Sequence, residues 1–164
     1  MLVRNLHTRR LAADTADVAA LLDSLSSEDD RLWPWASWPP MRFDRTLSIG
    51  ARGGHGPIRY TVAEYEPGRR VRFRFDAPKG FDGYHEFRVD ECPSGITELN
   101  HLLAMEARGR AHLTWPLFFR TLQDALLEEC LDKAEMAITG EVRTPYRRTP
   151  YQRTLLRIIA RVGI

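Results

Sequence analysis

The sequence of 164 residues has two cysteines, two lysines and no long hydrophobic run. Cys92 and Cys130 form no CxxC pair and are too few and too far apart for a disulfide framework, so we expect two reduced thiols. No apolar stretch approaches the ~18 residues that cross a membrane. The first residues also lack the apolar segment of a signal peptide. These absences predict a soluble, cytoplasmic protein.

The sequence also lacks a large excess of positive or negative charge. The 24 basic residues, nearly all of them arginine, are balanced by 22 acidic residues, which leaves a net charge of +2. A net positive charge this small does not indicate a nucleic-acid partner. We predict no binding to nucleic acid.

Short catalytic motifs are missing as well. The chain contains no HExxH and no GxSxG. The glycine-rich segment GARGGHGP, residues 50–57, lacks the lysine and the serine or threonine of a phosphate-binding loop, and a strand follows it rather than a helix. We interpret it as a hairpin turn. We predict no metal site and no cofactor.

What the sequence does contain is a series of short alternating strands. Apolar and polar residues alternate with a period of two, as on a sheet with one covered and one solvated face. Short connections between these segments, such as Pro67-Gly68, favour antiparallel pairing. Six strands are predicted, over residues 2–10, 43–49, 58–66, 69–76, 84–91 and 96–106.

Helical patterns flank this meander. Residues 15–25 carry an apolar helical stripe, and a single further turn is predicted at the start of the tryptophan- and proline-rich segment 26–40. A long helix is predicted over 111–139, ended by Gly140. Its buried face has three- and four-residue spacing and consists of Trp115, Phe119, Leu122, Leu126 and Cys130.

The C-terminal tail differs in composition from the rest of the chain. Residues 142–164 hold six arginines and no acid. We divide the chain into a ligand-binding domain, 1–140, and a basic tail, 141–164, in which residues 152–162 can form a short amphipathic helix. Three roles stay open for the tail: weak contact with an anionic membrane surface, contact with a protein, or packing on its own domain.

Three stretches carry a family resemblance: GARGGHGPIRYTVAEYEPGRRVRFRF, GFDGYHEFRVDE and WPLFFRTLQDALLEECLDKAE. With the order of elements, they resemble the START-like (SRPBCC) superfamily, more narrowly its polyketide cyclase/dehydrase type. The resemblance implies an α+β helix-grip fold: a curved antiparallel sheet around a long C-terminal helix, with two small helices after the first strand. It also implies a seventh, short strand near 51–55. Family members bind lipids, sterols, polyketides or hormones, and some catalyse cyclisation or aromatisation.

Polar groups on the predicted concave face are few. His85 and His101 lie on strands adjacent in sequence, and Tyr60 faces the same side, so these three are the candidates for catalysis or for orienting a ligand. Trp33, Trp35 and Trp38 are predicted to form a semi-exposed lip. The predicted cavity lining is Tyr60, Val71, Phe73, Phe75, His85, Phe87, His101, Trp115, Phe119 and Leu122.

Three functions follow as hypotheses. The first is binding of a small hydrophobic or amphipathic ligand, lipid-like or polyketide-like, in an internal cavity. The second is a polyketide-type cyclase or dehydratase, in which His85 or His101 removes a proton alpha to a carbonyl and Tyr60 stabilises the enolate oxygen. The third is an interaction protein whose cup is filled by its own side chains.

Overall fold

The computed structural model describes residues 1–162, except the side chain of Val162. Within these described residues, seven strands and four α-helices follow one another. In order they are β1 Leu2–Leu11, α1 Thr15–Asp23, β2 Arg42–Phe43, β3 Arg52–His55, β4 Ile58–Glu66, β5 Arg70–Ala77, β6 Phe81–Cys92, β7 Ile96–Ala107, α2 Ala111–Thr114, α3 Arg120–Thr139 and α4 Pro150–Val162. A π-helical turn, Trp115–Phe119, joins α2 to α3.

All seven strands form one antiparallel sheet in the order β1-β7-β6-β5-β4-β3-β2. Apart from β1, which pairs with β7, each strand pairs with its neighbour in sequence, as the short turns predicted. Two register shifts between β4 and β5 mark irregularities of the kind that bend a sheet. The sheet curves around the long C-terminal helix, so the predicted helix-grip fold is confirmed. The short seventh strand expected near 51–55 is β3.

One predicted detail is wrong: no second small helix follows α1. Residues 24–38 form turns instead. The side chain of Asp30 organises them, because Oδ1 accepts hydrogen bonds from the backbone N–H groups of Leu32 and Trp33 and Oδ2 accepts one from Ser26. A short acidic side chain that bonds its neighbours in this way competes with helix formation, and Pro34 prevents any extension.

The long helical stretch begins at Ala111 and ends at Thr139, at the predicted bounds. Its π-helical turn coincides with Pro116, which has no N–H to donate and cannot fit regular α-helical geometry at that position. Gly140 ends the helix with a φ of 78°, a left-handed conformation that glycine adopts without strain. On α3, the buried side chains include Leu126, Cys130 and Ala134, which form the stripe that faces the sheet.

The concave face of the sheet carries two separate packed cores. The larger one joins the strands to α1, α3 and the turn segment 24–38, with Leu21, Trp33 and Phe73 among its members. The smaller one lies at the other end of the sheet around Leu103 and Trp115. Phe75 and Phe119 pack against both and so connect the two cores.

Charged side chains connect α3 to the edge strand β1. His7 Nδ1 lies 2.7 Å from Glu128 Oε1, and His7 Nε2 lies 3.2 Å from Asp124 Oδ1. Arg9 bonds Asp132 at 2.8 Å and also contacts Glu135, which is almost fully buried. This network fixes one side of the helix against the sheet by charge rather than by apolar contact.

Helix α4 starts with a capping box. Thr149 Oγ1 accepts from the backbone N–H of Gln152 at 3.2 Å, Gln152 Oε1 accepts from the N–H of Thr149 at 2.8 Å, and Pro150 occupies the first helical position. The helix packs on α3.

The division of the chain into two parts at residue 140 stays a prediction. Within residues 1–162, no helix is both long and apolar enough to cross a bilayer.

Candidate functional site

A cavity of about 340 Å³ lies between the concave face of the sheet, α3 and α4. Its walls are aromatic and aliphatic, and its few polar groups are three imidazoles and one amide. The lining side chains come from the turn segment and the sheet, Trp33, Trp38, Pro39, His55, Pro57, Ile58, Phe75, Phe81, His85 and His101, and from the helices, Phe118, Phe119, Leu122, Gln123, Leu126, Leu127, Leu155, Leu156, Ile158 and Ile159.

Five of the ten predicted lining residues border this cavity: Phe75, His85, His101, Phe119 and Leu122. The other five are buried in the packed cores on either side. Tyr60, Val71, Phe73 and Phe87 belong to the larger core, and Trp115 belongs to the smaller one. For the seven residues that lie on strands, alternation identified the concave face of the sheet. Only part of that face is left uncovered.

His85 and His101 are brought together by strand pairing. His85 is opposite Leu103 and His101 is opposite Phe87, so the two histidines are diagonal neighbours on the same face of β6 and β7. His85 Nδ1 lies 3.2 Å from His101 Nε2. One imidazole must donate and the other must accept, and the direction depends on the tautomers.

A third histidine, His55, completes the polar side of the cavity. It ends β3, and its ring contacts that of Trp33 with a centroid distance of 4.8 Å. The residues of the glycine-rich segment predicted a hairpin turn, and the short strand near 51–55 that the resemblance implied was not used to assign a face to His55, so this residue was missed. The signal was present: His55 pairs with Ile58, which alternates with Tyr60 and Val62 on the concave face. A strand over 51–55 implies that His55 faces the cavity.

All three imidazoles are neutral at neutral pH. Burial lowers the pKa of His55 to about 4 and that of His101 to about 3, and it lowers the pKa of His85 well below its usual value. Nearby positive charge adds to the effect, from Arg59 at His55 and from His7 at His101. No aspartate, glutamate, lysine or arginine is among the lining residues in the described part of the chain.

Tyr60 does not join the histidines at the cavity. Its ring packs edge-on against His85 at a centroid distance of 4.8 Å, and its hydroxyl is buried without a hydrogen-bond partner among residues 1–162. Burial raises its pKa well above the usual value, so the hydroxyl stays protonated. An enolate in the cavity would not be in contact with this hydroxyl.

Tryptophan side chains and α4 form the rim of the cavity. Trp33 and Trp38 line it, and both indole N–H groups are paired within the protein: that of Trp33 donates to Pro39 O at 3.0 Å and that of Trp38 donates to Glu129 Oε2 at 2.9 Å. Trp35 is 63% exposed and does not line the cavity. Across the rim, α4 contributes Leu155, Leu156, Ile158 and Ile159, which are the apolar face expected for the tail helix.

Comparisons with solved structures give the fold. A protein of Thermobifida fusca, solved by solution NMR, is 17% identical with a TM-score of 0.62, over 89% of this chain and 99% of that chain. CalU16 from Micromonospora echinospora, solved as a crystal structure, is 17% identical with a TM-score of 0.56, over 99% of this chain and 94% of that chain. Truncated norcoclaurine synthase from Thalictrum flavum is 10% identical with a TM-score of 0.63, over 85% and 95%.

The chain has the START-like fold. At these identities the likeness extends to the fold alone. No protein-family model matches the sequence, and no curated protein matches it. Among residues 1–162, no three His, Cys, Asp or Glu side chains are arranged so that they could hold a metal ion. The chemistry of the site therefore depends on its own residues.

Proposed function

We propose that the protein binds a small, mainly apolar molecule in the cavity beneath α4. The observation that carries this proposal is the cavity itself, about 340 Å³ with almost wholly apolar walls. Ligand sites in proteins typically have volumes of roughly 300–1,000 Å³ and are lined in this way. An apolar cavity of about 150 Å³ accommodates benzene, so this one has room for a compound of one or two rings.

Two features favour a binding role over an interaction protein whose core is filled by its own side chains. A protein whose core is filled by its own side chains should have no cavity beyond a few waters, whereas here His85 and the α3 residues Leu122 and Leu126 border open space. In addition, α4 covers one side of that space, with Leu155 buried against it. A single helix that covers an apolar cavity suits a carrier.

The direct test is native mass spectrometry of the purified protein, followed by organic extraction. We expect a co-purified small molecule in substoichiometric or full occupancy, or else saturable uptake of added one- or two-ring aromatic compounds. Saturable binding with a stoichiometry of one supports the proposal. Failure to bind any apolar compound would exclude it.

A cyclase or dehydratase is the second candidate, favoured by the neutral imidazole of His85 at the cavity wall. A neutral imidazole can accept a proton alpha to a carbonyl. Two features weaken this candidate. A pKa far below neutral makes His85 a weak base, and the Tyr60 hydroxyl does not reach the cavity.

Proton exchange tests the enzyme candidate without knowledge of the substrate. A cyclic ketone bound in deuterated buffer should exchange its alpha protons faster in the presence of the protein, as measured by NMR. The variant His85→Gln should abolish the acceleration. Exchange at the rate of buffer alone would leave the binding role as the only one supported.

A further inference from the structure

We infer that the ligand is an uncharged molecule that presents one hydroxyl or carbonyl group to His85. This inference rests on the proposed binding function and narrows it to a chemical class. It excludes fatty acids and other carboxylates as the preferred ligands.

The first observation is the distribution of polar groups around the cavity. They are concentrated on the sheet side, where His85 and His101 lie on adjacent strands and His55 ends β3. The helical side contributes apolar side chains and the amide of Gln123. A ligand with one polar end and an apolar body therefore has one favourable orientation, with its polar end towards the sheet.

The second observation is the hydrogen bonding of the imidazoles. His85 uses Nδ1 for its contact with His101 at 3.2 Å. Its Nε2 makes no hydrogen bond within residues 1–162, and it is not among the fully occluded unpaired atoms, which are Tyr60 Oη, Arg70 Nε and His101 Nδ1. Since His85 lines the cavity, Nε2 is the free ring nitrogen that borders it.

The tautomers of the pair determine what Nε2 can recognise. If His85 Nδ1–H donates to His101, then Nε2 is an acceptor and binds a hydroxyl group. If His101 donates instead, Nε2 carries the proton and binds a carbonyl oxygen. Both arrangements keep the two rings neutral, so the same site accepts either group.

The third observation concerns charge. No lysine or arginine borders the cavity within the described residues, so a carboxylate there would have no cation to pair with. Protonation of an imidazole could supply one, but burial lowers the pKa of His85, the residue that would contact the carboxylate, well below its usual value, and lowers that of His101 to about 3. An unpaired buried charge is strongly unfavourable.

Three matched probes test the inference with the wild-type protein: naphthol, naphthoate and naphthalene, each titrated at neutral pH by fluorescence or calorimetry. They share one ring system of suitable size and differ only at the polar end. We expect naphthol to bind about fivefold more tightly than naphthalene, as one net hydrogen bond gives. Naphthoate should bind at least about tenfold more weakly than naphthol.

The variant His85→Leu locates the contact. It should reduce the advantage of naphthol over naphthalene to less than about twofold and leave the affinity for naphthalene within about threefold of wild type, which also shows that the cavity is intact. A second variant, His112→Leu, removes an exposed histidine outside the cavity and should change neither affinity.

The outcomes are distinct. Equal affinity for naphthol and naphthalene, tighter binding of naphthoate, or an unchanged naphthol preference in His85→Leu would each overturn the inference while leaving the binding function in place. Failure of all three probes to bind the wild-type protein would overturn the proposed function as well.

Discussion

His7 and His101 lie directly opposite each other on β1 and β7, and their imidazoles are held in opposite protonation states. Burial lowers the pKa of both. At His7 the carboxylates of Asp124 and Glu128 outweigh burial and raise the pKa to about 9, whereas at His101 burial prevails and the pKa falls to about 3. Two directly paired residues therefore separate the charged edge of the sheet, at His7, from the neutral cavity, at His101.

The charged member of this pair, His7, should make the stability of the protein fall at alkaline pH. Because the pKa of His7 is about 9 in the folded protein and 6.5 as its unperturbed value, its contribution is fully present below pH 6.5 and is lost as the pH rises through 9. We expect the free energy of unfolding to fall by about 1–3 kcal/mol across that interval, the lower part of the range reflecting the partial exposure of Asp124. Urea unfolding at several pH values measures it.

The variant His7→Gln should be less stable than wild type at pH 6.5 and should lose most of this alkaline slope. His112→Gln, which removes an exposed histidine, serves as the matched control and should retain the slope. An alkaline slope in His7→Gln equal to that of the wild type would show that the pair with Asp124 and Glu128 is not its source.

The neutral member, His101, should make the stability of the protein fall at acidic pH. The folded pKa of His101 lies below its unfolded value, so the unfolded protein binds more protons and stability falls as the pH decreases from 6.5 towards 3. His55 and His85, which share the cavity, act in the same direction. His7 from β1 is protonated in the folded protein throughout this interval, and its unfolded-state protonation is complete once the pH is well below 6.5. Each lowered histidine contributes up to about 1.4 kcal/mol per pH unit.

Thermal unfolding at about pH 6.5 and about pH 5 measures this effect in a range where most carboxylates stay ionised. The variant His101→Gln keeps a hydrogen-bonding partner for His85 but cannot titrate, so its midpoint should fall less than that of the wild type over this interval. The prediction is wrong if the two midpoints fall equally.

Alternation along the strands predicted the faces of the sheet but not which part of the concave face is open. Val71 and Phe73 were correctly assigned inward, yet α1 and the turn segment 24–38 cover that half of the sheet. Phe75, two residues further along β5, borders the cavity. Which half is covered depends on how α1 packs in three dimensions, and no local pattern contains that information.

The tail shows the same limit. The apolar stripe that includes Leu155 and Ile159 predicted an amphipathic helix over 152–162, but a stripe does not specify its partner. In the structure this face turns towards the cavity, while Arg153, Arg157 and Arg161 are exposed. Contact of the tail with an anionic surface or a protein stays a prediction.

Filling the cavity should abolish binding without unfolding the protein. Leu122 lines the cavity from α3 and is only partly buried by protein atoms, so Leu122→Trp would place the larger side chain in the open space. We expect at least about a tenfold loss of affinity for naphthalene or naphthol, since one- or two-ring ligands and the indole would compete for the same volume. Fluorescence titration measures it.

The matched control is Leu117→Trp, the same exchange on the π-helical turn at a side chain that is 53% exposed and outside the cavity. It should leave the affinity within about twofold of wild type, because no lining atom changes. If both variants bound the probes like the wild type, the cavity between α3 and the sheet would not be the ligand site.

Loosening α4 should accelerate exchange of a bound ligand. Gln152 is almost fully buried and holds the start of the helix: its amide donates to Thr121 O at 2.9 Å, and its carbonyl oxygen accepts from the Tyr146 hydroxyl at 2.9 Å. Gln152→Ala removes both bonds and half of the capping box with Thr149, a loss of about 1–3 kcal/mol of local stability. We expect faster hydrogen exchange confined to α4 and a faster dissociation rate of bound naphthol in stopped flow.

Arg153→Ala, a change at the adjacent and exposed position, should leave both rates unchanged and controls for substitution on the same helix. If Gln152→Ala released α4 in hydrogen exchange but did not change the dissociation rate, the ligand would leave by a route that does not require α4 to move. Because Leu155 and Leu156 lie within one turn of Gln152 and line the cavity, we expect instead that the helix must move before the ligand can leave.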